Sequence, residues 1–415
     1  MFPEIEARRW HGSLETVHDR HWTNEATRRV KMNASPPFKA AIIGGSVGGL
    51  AAAIELRDGL GAAVSVYERS SGAMQARGAG VVMQPELDAL LQRIDVETRT
   101  VCVRLQERVA LQYDGQARRQ RAPQLMTAWD TLYKTMRAHL VDDCYRQDSK
   151  LLSIGQSGAL VSIVFEDGYE TTTDILIGAD GVNSTCRRLL TGTDEAARYA
   201  GYVAWRGLED ERDLPPQLVN ALSERFTSYV SPGMQMLCYL VPGADGSTVR
   251  GERRVNWVWY VNTPEPELET LMTGESGARY RSFLPPGDSS AEVRRAVRDL
   301  AQRALPALFR DLVEASNLFM QPVQDVDVQP RSHSRAFLIG DAAGTVRPHT
   351  ASGTSKAFGD AALLAEALKG WRADASLPTN RLESWEASRN AELSSIARQG
   401  RQLAARSGLG STAAT

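Results

Sequence analysis

Between Lys39 and Glu68 the chain runs through a strand, a glycine turn, a helix and a second strand without interruption, which commits it to a parallel α/β layer. Lys39-Ala40-Ala41-Ile42-Ile43 is a short apolar run that ends in Gly44-Gly45-Ser46-Val47-Gly48-Gly49, after which Val47, Leu50, Ala51 and Ile54 recur at helical spacing. Ala63 to Tyr67 resumes strand character and ends at Glu68, followed by Arg69, about twenty residues beyond the last glycine. Glycines let the backbone turn tightly and approach a pyrophosphate. The helix N-terminus offers unpaired N–H groups, and an acid at the end of the second strand accepts ribose hydroxyls. Ser46 stands where G-x-G-x-x-G has its second glycine, so this segment is an imperfect dinucleotide fingerprint.

The same residues, Gly44 to Gly48, also match G-x-S-x-G, the nucleophile elbow of α/β-hydrolases, with Asp341 and His349 as nominal partners of Ser46. A hydrolase leaves Glu68 unexplained. Two further motifs bear on the choice. Asp174-Ile175-Leu176-Ile177 leads into Gly178-Ala179-Asp180-Gly181, and Ala336-Phe337-Leu338-Ile339 into Gly340-Asp341-Ala342-Ala343, with Pro348, Gly353 and Thr354 beyond. Each delivers an acid from a buried strand into a glycine turn. Asp180 can organise backbone and phosphate contacts, and Asp341 can accept from a sugar-like hydroxyl. A helix beginning near Gly353 points its positive end at the same place.

Organisation follows from these motifs. Residues 1–37 form a polar extension closed by Ser35-Pro36-Pro37, and no internal repeat is visible. A helix is expected from Thr131 to Tyr145, and a hairpin of Ala159 to Phe165 with Tyr169 to Ile177, turning at Asp167-Gly168. From Tyr199 to Asn262 the chain is β-rich and aromatic. Helix returns at Ala291 to Glu314, Gly353 to Gly370 and Asn380 to Ala405. The expected fold is α/β. The β-rich segment looks like a second domain built on a sheet, and 407–415 form a flexible tail.

With 42% apolar and 24% charged residues and a net charge of −2, the 415-residue chain gives no reason to expect nucleic acid or an anionic membrane as partner. No apolar run reaches the length of a membrane span, and the N-terminus is charged instead of signal-like, so the expected location is cytoplasmic. Cys102, Cys144, Cys186 and Cys238 stand far apart without neighbouring histidines, which argues against zinc and a redox disulfide.

In their order, the three glycine and acid motifs resemble the single-component FAD-dependent aromatic hydroxylases typified by p-hydroxybenzoate hydroxylase. The resemblance runs from about Lys39 to about Arg406 and implies a Rossmann-like, discontinuous FAD-binding domain (38–198 and 325–406) with a smaller β-sheet substrate domain (199–324). It implies FAD held by Gly44, Gly45, Ser46, Val47, Gly48, Gly49, Glu68, Arg69, Gln84, Asp180, Gly340, Asp341, Pro348, Gly353 and Thr354, and NADH or NADPH as co-substrate without a second Rossmann domain. It further implies oxygen transfer from a flavin C4a-hydroperoxide to an electron-rich ring, a hydroxypyridine or a phenol. The segments Val82 to Leu87, Tyr202 to Gly207 and Arg347-Pro348-His349 look like the hydroxypyridine branch. Three positions depart from the broad family: Gly344 where a histidine is usual, Lys356 where asparagine is common, and Trp129 near the place of a frequent arginine.

His349 is the candidate catalytic residue, because its loop should pass the ring and its ordinary pKa suits proton transfer. Tyr202, Tyr229, Tyr239 and Trp259 are candidates for the pocket wall, although aromatics in a sheet also serve as plain core. Arg206 is either a steering cation for an anionic substrate or part of a structural ion pair. A small aromatic substrate and O2 are the expected partners, for a monomer or homodimer. Trp257-Val258-Trp259 keeps a flavin-dependent halogenase as an alternative, and a non-catalytic flavin-binding protein is a second.

Overall fold

The computed structural model describes residues 36–72, 80–192, 197–327 and 330–410. Of the expected 1–37 extension, residues 1–35 lie outside them.

A six-stranded sheet places the strands Ser332–His333, Ala336–Leu338, Ile175–Gly178, Lys39–Ile43, Ala63–Tyr67 and Tyr145–Arg146 side by side. All are parallel to their neighbours except the outermost, Ser332–His333. The central strands read as continuous apolar runs because both faces are covered. Ala40 and Ile42 meet the helices Val47–Leu60 and Gly353–Leu368 through Leu50, Ile54, Phe358 and Leu364. Ala41 and Ile43 point the other way, toward Val161, Ile163 and Phe165 of a three-stranded sheet and Cys186 of the helix Thr185–Thr191. Period-two alternation thus sorts one strand into two cores.

The second sheet has nine strands, in the order Gly344–Thr345, Phe319–Asp327, Arg198–Asp210, Arg254–Asn262, Met234–Val241, Arg225–Ser231, Val103–Leu111, Ala117–Ala128, Gly80–Val82. Its last three strands come from before residue 130, so the aromatic segment 199–262 supplies less than half of the sheet it was expected to dominate. One face carries Trp205, Trp257, Trp259, Met236 and Tyr229. It is covered by the helices Ala291–Ala304, Ala307–Glu314 and Pro216–Leu222 through Val297, Phe309, Leu312 and Leu218. The opposite face carries Tyr202, Ala204, Val258 and Tyr260, joined by Ala404 and Leu409 from the end of the chain.

Several elements differ from expectation, each for a local reason. The strand expected from Tyr169 to Ile177 is two, Glu170–Thr173 and Ile175–Gly178, on different sheets. Asp174 between them turns the chain, and its carboxylate accepts the Lys39 backbone N–H at 2.6 Å. Pro306 divides the expected 291–314 helix. The Thr131 helix begins earlier and ends sooner, at Trp129–His139. Residues 407–410, expected in a flexible tail, are tied down: Gly233 N–H donates to the Ser407 carbonyl, and Asn262 bonds Gly408 and Gly410.

Candidate active site

The glycine turn is built by contacts that a side chain would destroy. Gly44 has φ +103°, and a Cβ there would lie 2.5 Å from the Ala179 carbonyl oxygen; at Gly49 it would lie 1.9 Å from the Gly44 oxygen. Gly45 passes under Tyr145, whose hydroxyl donates to the Gly45 carbonyl at 3.1 Å and touches the Tyr133 hydroxyl at 3.3 Å. Trp129 stacks on Tyr133, with ring centroids 5.3 Å apart. Sequence reasoning missed Tyr133 and Tyr145, because nothing local marks a tyrosine a hundred residues away as the floor of a turn.

Glu68 is buried at the end of its strand. One carboxylate oxygen accepts from Gly45 N–H at 2.9 Å and the other from Ser70 N–H at 2.9 Å. The acid therefore shapes the turn, with acceptor capacity left for a hydroxyl. Ser46 caps the helix Val47–Leu60 by position only, since its side chain makes no capping bond, and no acid stands in the first turn. The helix Gly353–Leu368 likewise begins without a side-chain cap or an early acid. The two helices meet at small residues: a Cβ on Gly48 would be 3.4 Å from that of Ala357. Two uncapped helix N-termini beside a glycine cradle fit the pyrophosphate of a dinucleotide.

The two remaining acids have different surroundings. Asp180 is committed to the protein, accepting from Ser184 Oγ and from the Thr185 and Cys186 N–H groups at 2.7 and 3.0 Å, so it caps the helix Thr185–Thr191. Asp341 is exposed. Behind the Gly340–Asp341 turn, the buried Asp360 accepts from Gly340 N–H at 2.9 Å, while Lys356 Nζ donates to the Gly340 carbonyl at 2.7 Å. Asp360 also faces Arg389 at 2.7 Å, Arg331 at 3.1 Å and Lys356 at 3.4 Å. Burial by itself would raise the Asp360 carboxyl, but Lys356, Arg331 and Arg389 outweigh it and hold it below the ordinary carboxylate range. Lys356 thus grips the turn from behind. Gly344 has no room for a side chain, since a Cβ would sit 2.5 Å from Leu393 Cδ2.

The loop after this turn carries Pro348–Thr350 against the nine-stranded sheet. Its His349 bonds Tyr202 Oη through Nε2 at 2.9 Å and Gln235 Oε1 through Nδ1 at 3.0 Å. Gln235 can only accept at Oε1, so Nδ1–H donates to it and Nε2 accepts from the Tyr202 hydroxyl. Burial, with the Arg347 guanidinium adding to it, pushes His349 down to about 4, so the ring is neutral at pH 7. Arg347 in turn pairs with Asp325 at 2.9 Å. Gln84 joins the same loop, donating to the Ala351 carbonyl at 2.8 Å. His349 and Asp341 form no triad with Ser46, because both imidazole nitrogens are engaged elsewhere. Both nitrogens of His349 are thus engaged by protein side chains.

Register sorts the aromatic candidates. Ala204, Tyr260 and Gln235 are aligned across three strands; Arg206, Val258 and Leu237 form the next row on that face, and Leu208, Asn256 and Tyr239 the row after. Tyr239 Oη donates to the Gly80 carbonyl at 3.1 Å, and Gly80 is glycine because a Cβ would overlap the Tyr239 ring. Tyr202 is fully buried behind His349. Trp259 and Tyr229 are corrected from pocket wall to core: they point to the helix-covered face, because each is one residue out of phase with the site-facing set. Gln235, Asn256 and Tyr260 belong to the site face but gave no signal beyond strand alternation.

Comparison with known proteins is consistent along the chain. An FAD binding domain-like family model matches residues 199–325. The 2,6-dihydroxypyridine 3-monooxygenase of Paenarthrobacter nicotinovorans is 33% identical over 335 residues, covering 79% of this chain and 82% of that protein. The 6-hydroxynicotinate 3-monooxygenase of Bordetella bronchiseptica is 29% identical over 346 residues, covering 79% and 81%. Among solved structures, 2,6-dihydroxypyridine-3-hydroxylase from Arthrobacter nicotinovorans superposes with a TM-score of 0.84 at 31% identity, covering 91% of this chain and 95% of that one. Klebsiella pneumoniae HpxO complexed with FAD and uric acid shares the fold, with a TM-score of 0.67 at 21% identity over 88% and 87% of the two chains.

Proposed function

The chain belongs to the FAD-dependent aromatic monooxygenases, and we propose that within that family it hydroxylates a small, electron-rich ring of the hydroxypyridine class. The observation that carries this reading is the loop Pro348–Thr350, which leaves the Gly340–Asp341 turn and sets His349 between Tyr202 and Gln235 on the sheet face. One segment thereby links the dinucleotide cradle to a polar, aromatic surface.

The residues that would hold FAD are the turn Gly44–Gly49 with the N-terminus of its helix, Glu68 and Arg69 at the end of the second strand, and Gln84. Asp341 and the segment Pro348 to Thr354 would complete the set, with Asp180 acting through the helix it caps. The chemistry FAD supplies when bound is acceptance of a hydride from NAD(P)H and activation of O2. The protein's own task is to bind the ring, to orient its hydroxyl groups and to keep water away. Neutral His349 fixes Gln235, whose amide N–H groups remain available on the site face. Tyr260 and Tyr239 wall the ring. Trp257 and Trp259, the feature shared with a halogenase reading, serve the core instead, and Trp257 Nε1 donates to Ser316 Oγ at 2.8 Å.

No helix among the described residues is long and apolar enough to cross a membrane. The test is NADH and NADPH consumption by the FAD-loaded protein with and without 2,6-dihydroxypyridine, with the product identified by mass. A product heavier by one oxygen supports the reading; reduction of O2 without an oxygenated product sinks that substrate.

A further inference from the structure

The strand Gly80–Val82 closes one end of the nine-stranded sheet, with three strands between it and the strand of Tyr239 and four between it and that of Asn256. At about 4.8 Å per strand, a flat sheet would hold Gly80 roughly 19 and 24 Å from those two strands. Both nonetheless bond it directly. Asn256 Oδ1 accepts from Gly80 N–H at 3.2 Å, and Tyr239 Oη donates to the Gly80 carbonyl at 3.1 Å. The row that Tyr239 and Asn256 share lies on the face of Tyr260 and Gln235. The sheet therefore curls back over its own site face, and Gly80 rests against that face. Asn256 is fully buried, and Phe226 stacks on the Tyr239 ring with centroids 5.2 Å apart. Beyond Gly80, Met83 N–H donates to the Leu125 carbonyl at 3.0 Å, and Gln84 Nε2 reaches the Ala351 carbonyl at 2.8 Å in the loop after Pro348.

We propose that Tyr239 and Asn256 act as one clamp: by gripping both backbone groups of Gly80 they set the strip Gly80–Gln84 across the site face and, through Gln84, the loop that would hold FAD. The two are positioning residues, acting on the cofactor through the strip. The proposal rests on the FAD contacts of the proposed function and is independent of which ring is hydroxylated. A terminal strand ordinarily leaves its outer backbone groups to water. Here two side chains from far across the sheet take both groups of one residue, and that residue is the glycine at which a Cβ would lie 2.2 Å from the Tyr239 ring. The strip is thus tied at both ends, to the sheet at Gly80 and to the cofactor loop at Ala351. Loss of either bond to Gly80 loosens the same end, so the two contacts contribute as a unit.

The experiment dilutes the FAD-loaded protein in steps and reads the released cofactor from its fluorescence, which gives a dissociation constant without any substrate. Y239F, which keeps the ring, N256A and the double variant are compared with the wild type, and W259F on the helix-covered face serves as a destabilised control. Y239F and N256A are each expected to raise the FAD dissociation constant by about 2- to 12-fold, the equilibrium factor of one hydrogen bond. The double variant should lose less than the product of the two, because either change alone releases Gly80. W259F should retain FAD like the wild type although its melting temperature falls, which separates positioning from stability. Unchanged affinity in both single variants, multiplicative losses in the double variant, or an equal loss in W259F would overturn the proposal. Failure of the hydroxylase reading shows separately, as NAD(P)H oxidation without an oxygenated product, and leaves the FAD affinities as they are.

Discussion

The Tyr202 hydroxyl lies 2.9 Å from His349 Nε2, and this contact joins the nine-stranded sheet to the loop that follows the Gly340–Asp341 turn. Both partners are removed from bulk water: Tyr202 is fully buried, and burial raises its hydroxyl well above the usual phenol range. The tyrosine therefore stays protonated as the donor and the histidine stays neutral as the acceptor. Y202F leaves a buried acceptor without its donor and is expected to lower stability by ~1–3 kcal/mol. Urea denaturation of the two proteins measures it, and an unchanged midpoint would show that the bond contributes nothing.

His349 also makes stability depend on pH. Its folded pKa of about 4 lies below the unfolded value of 6.5, so the unfolded chain binds the extra proton first. The neutral ring's contribution is complete above about pH 6.5 and is lost as pH falls toward 4, by an amount on the order of 3 kcal/mol at most. In H349Q the slope of unfolding free energy between pH 7 and 4 should be correspondingly shallower than in the wild type. Parallel slopes would refute the buried neutral imidazole.

Glu68 and Gly49 test the cradle. E68A removes the acceptor for Gly45 N–H and Ser70 N–H, so it should both weaken FAD retention during gel filtration and cost ~1–3 kcal/mol of apoprotein stability. G49A forces a Cβ to within 1.9 Å of the Gly44 oxygen and should cost ~3 kcal/mol or more. Full FAD content and an unshifted melting temperature in G49A would show that the turn is not as tight as described.

The buried cluster at Asp360 predicts an asymmetry. D360N removes the carboxylate that faces Arg331, Lys356 and Arg389, leaving like charges together, and is expected to cost ~3–5 kcal/mol or prevent folding. K356M leaves Asp360 paired with both arginines and should cost less. Comparable soluble yields and melting temperatures for the two variants would count against this balance of charges.

Trp259 and Tyr260 are neighbours in sequence on opposite faces of one strand. W259F should lower stability by ~1–3 kcal/mol through a core cavity while leaving KM for the aromatic substrate near its wild-type value. Y260L removes a ring that lies 4.9 Å from that of His349 on the opposite face and should raise KM for the aromatic substrate. Steady-state kinetics with thermal denaturation separates the two, and a raised KM in W259F would return that side chain to the pocket.

Much of the cradle could be read from local order alone. Gly44 to Gly49, Glu68 and the Gly340–Asp341 turn are written as short strings whose meaning depends on steric and dihedral limits within a few residues, so the α/β layer and its glycine turns follow from the chain directly. Strand alternation also separates Trp259 from Tyr260, but it does not say which face meets the helices. Only the tertiary structure decides that, because the answer depends on where Phe309 and Leu312 pack, fifty residues further on. The same holds for Tyr145 beneath Gly45, for Gln235 beside His349 and for the cations around Asp360. Contacts between residues remote in sequence are selected by the packing of whole layers, and no local pattern encodes them. The sequence by itself determined the cofactor turns and the class of fold; the folded chain alone decided which polar groups are paired and which faces of the sheet are closed by helices, because both depend on how whole layers pack.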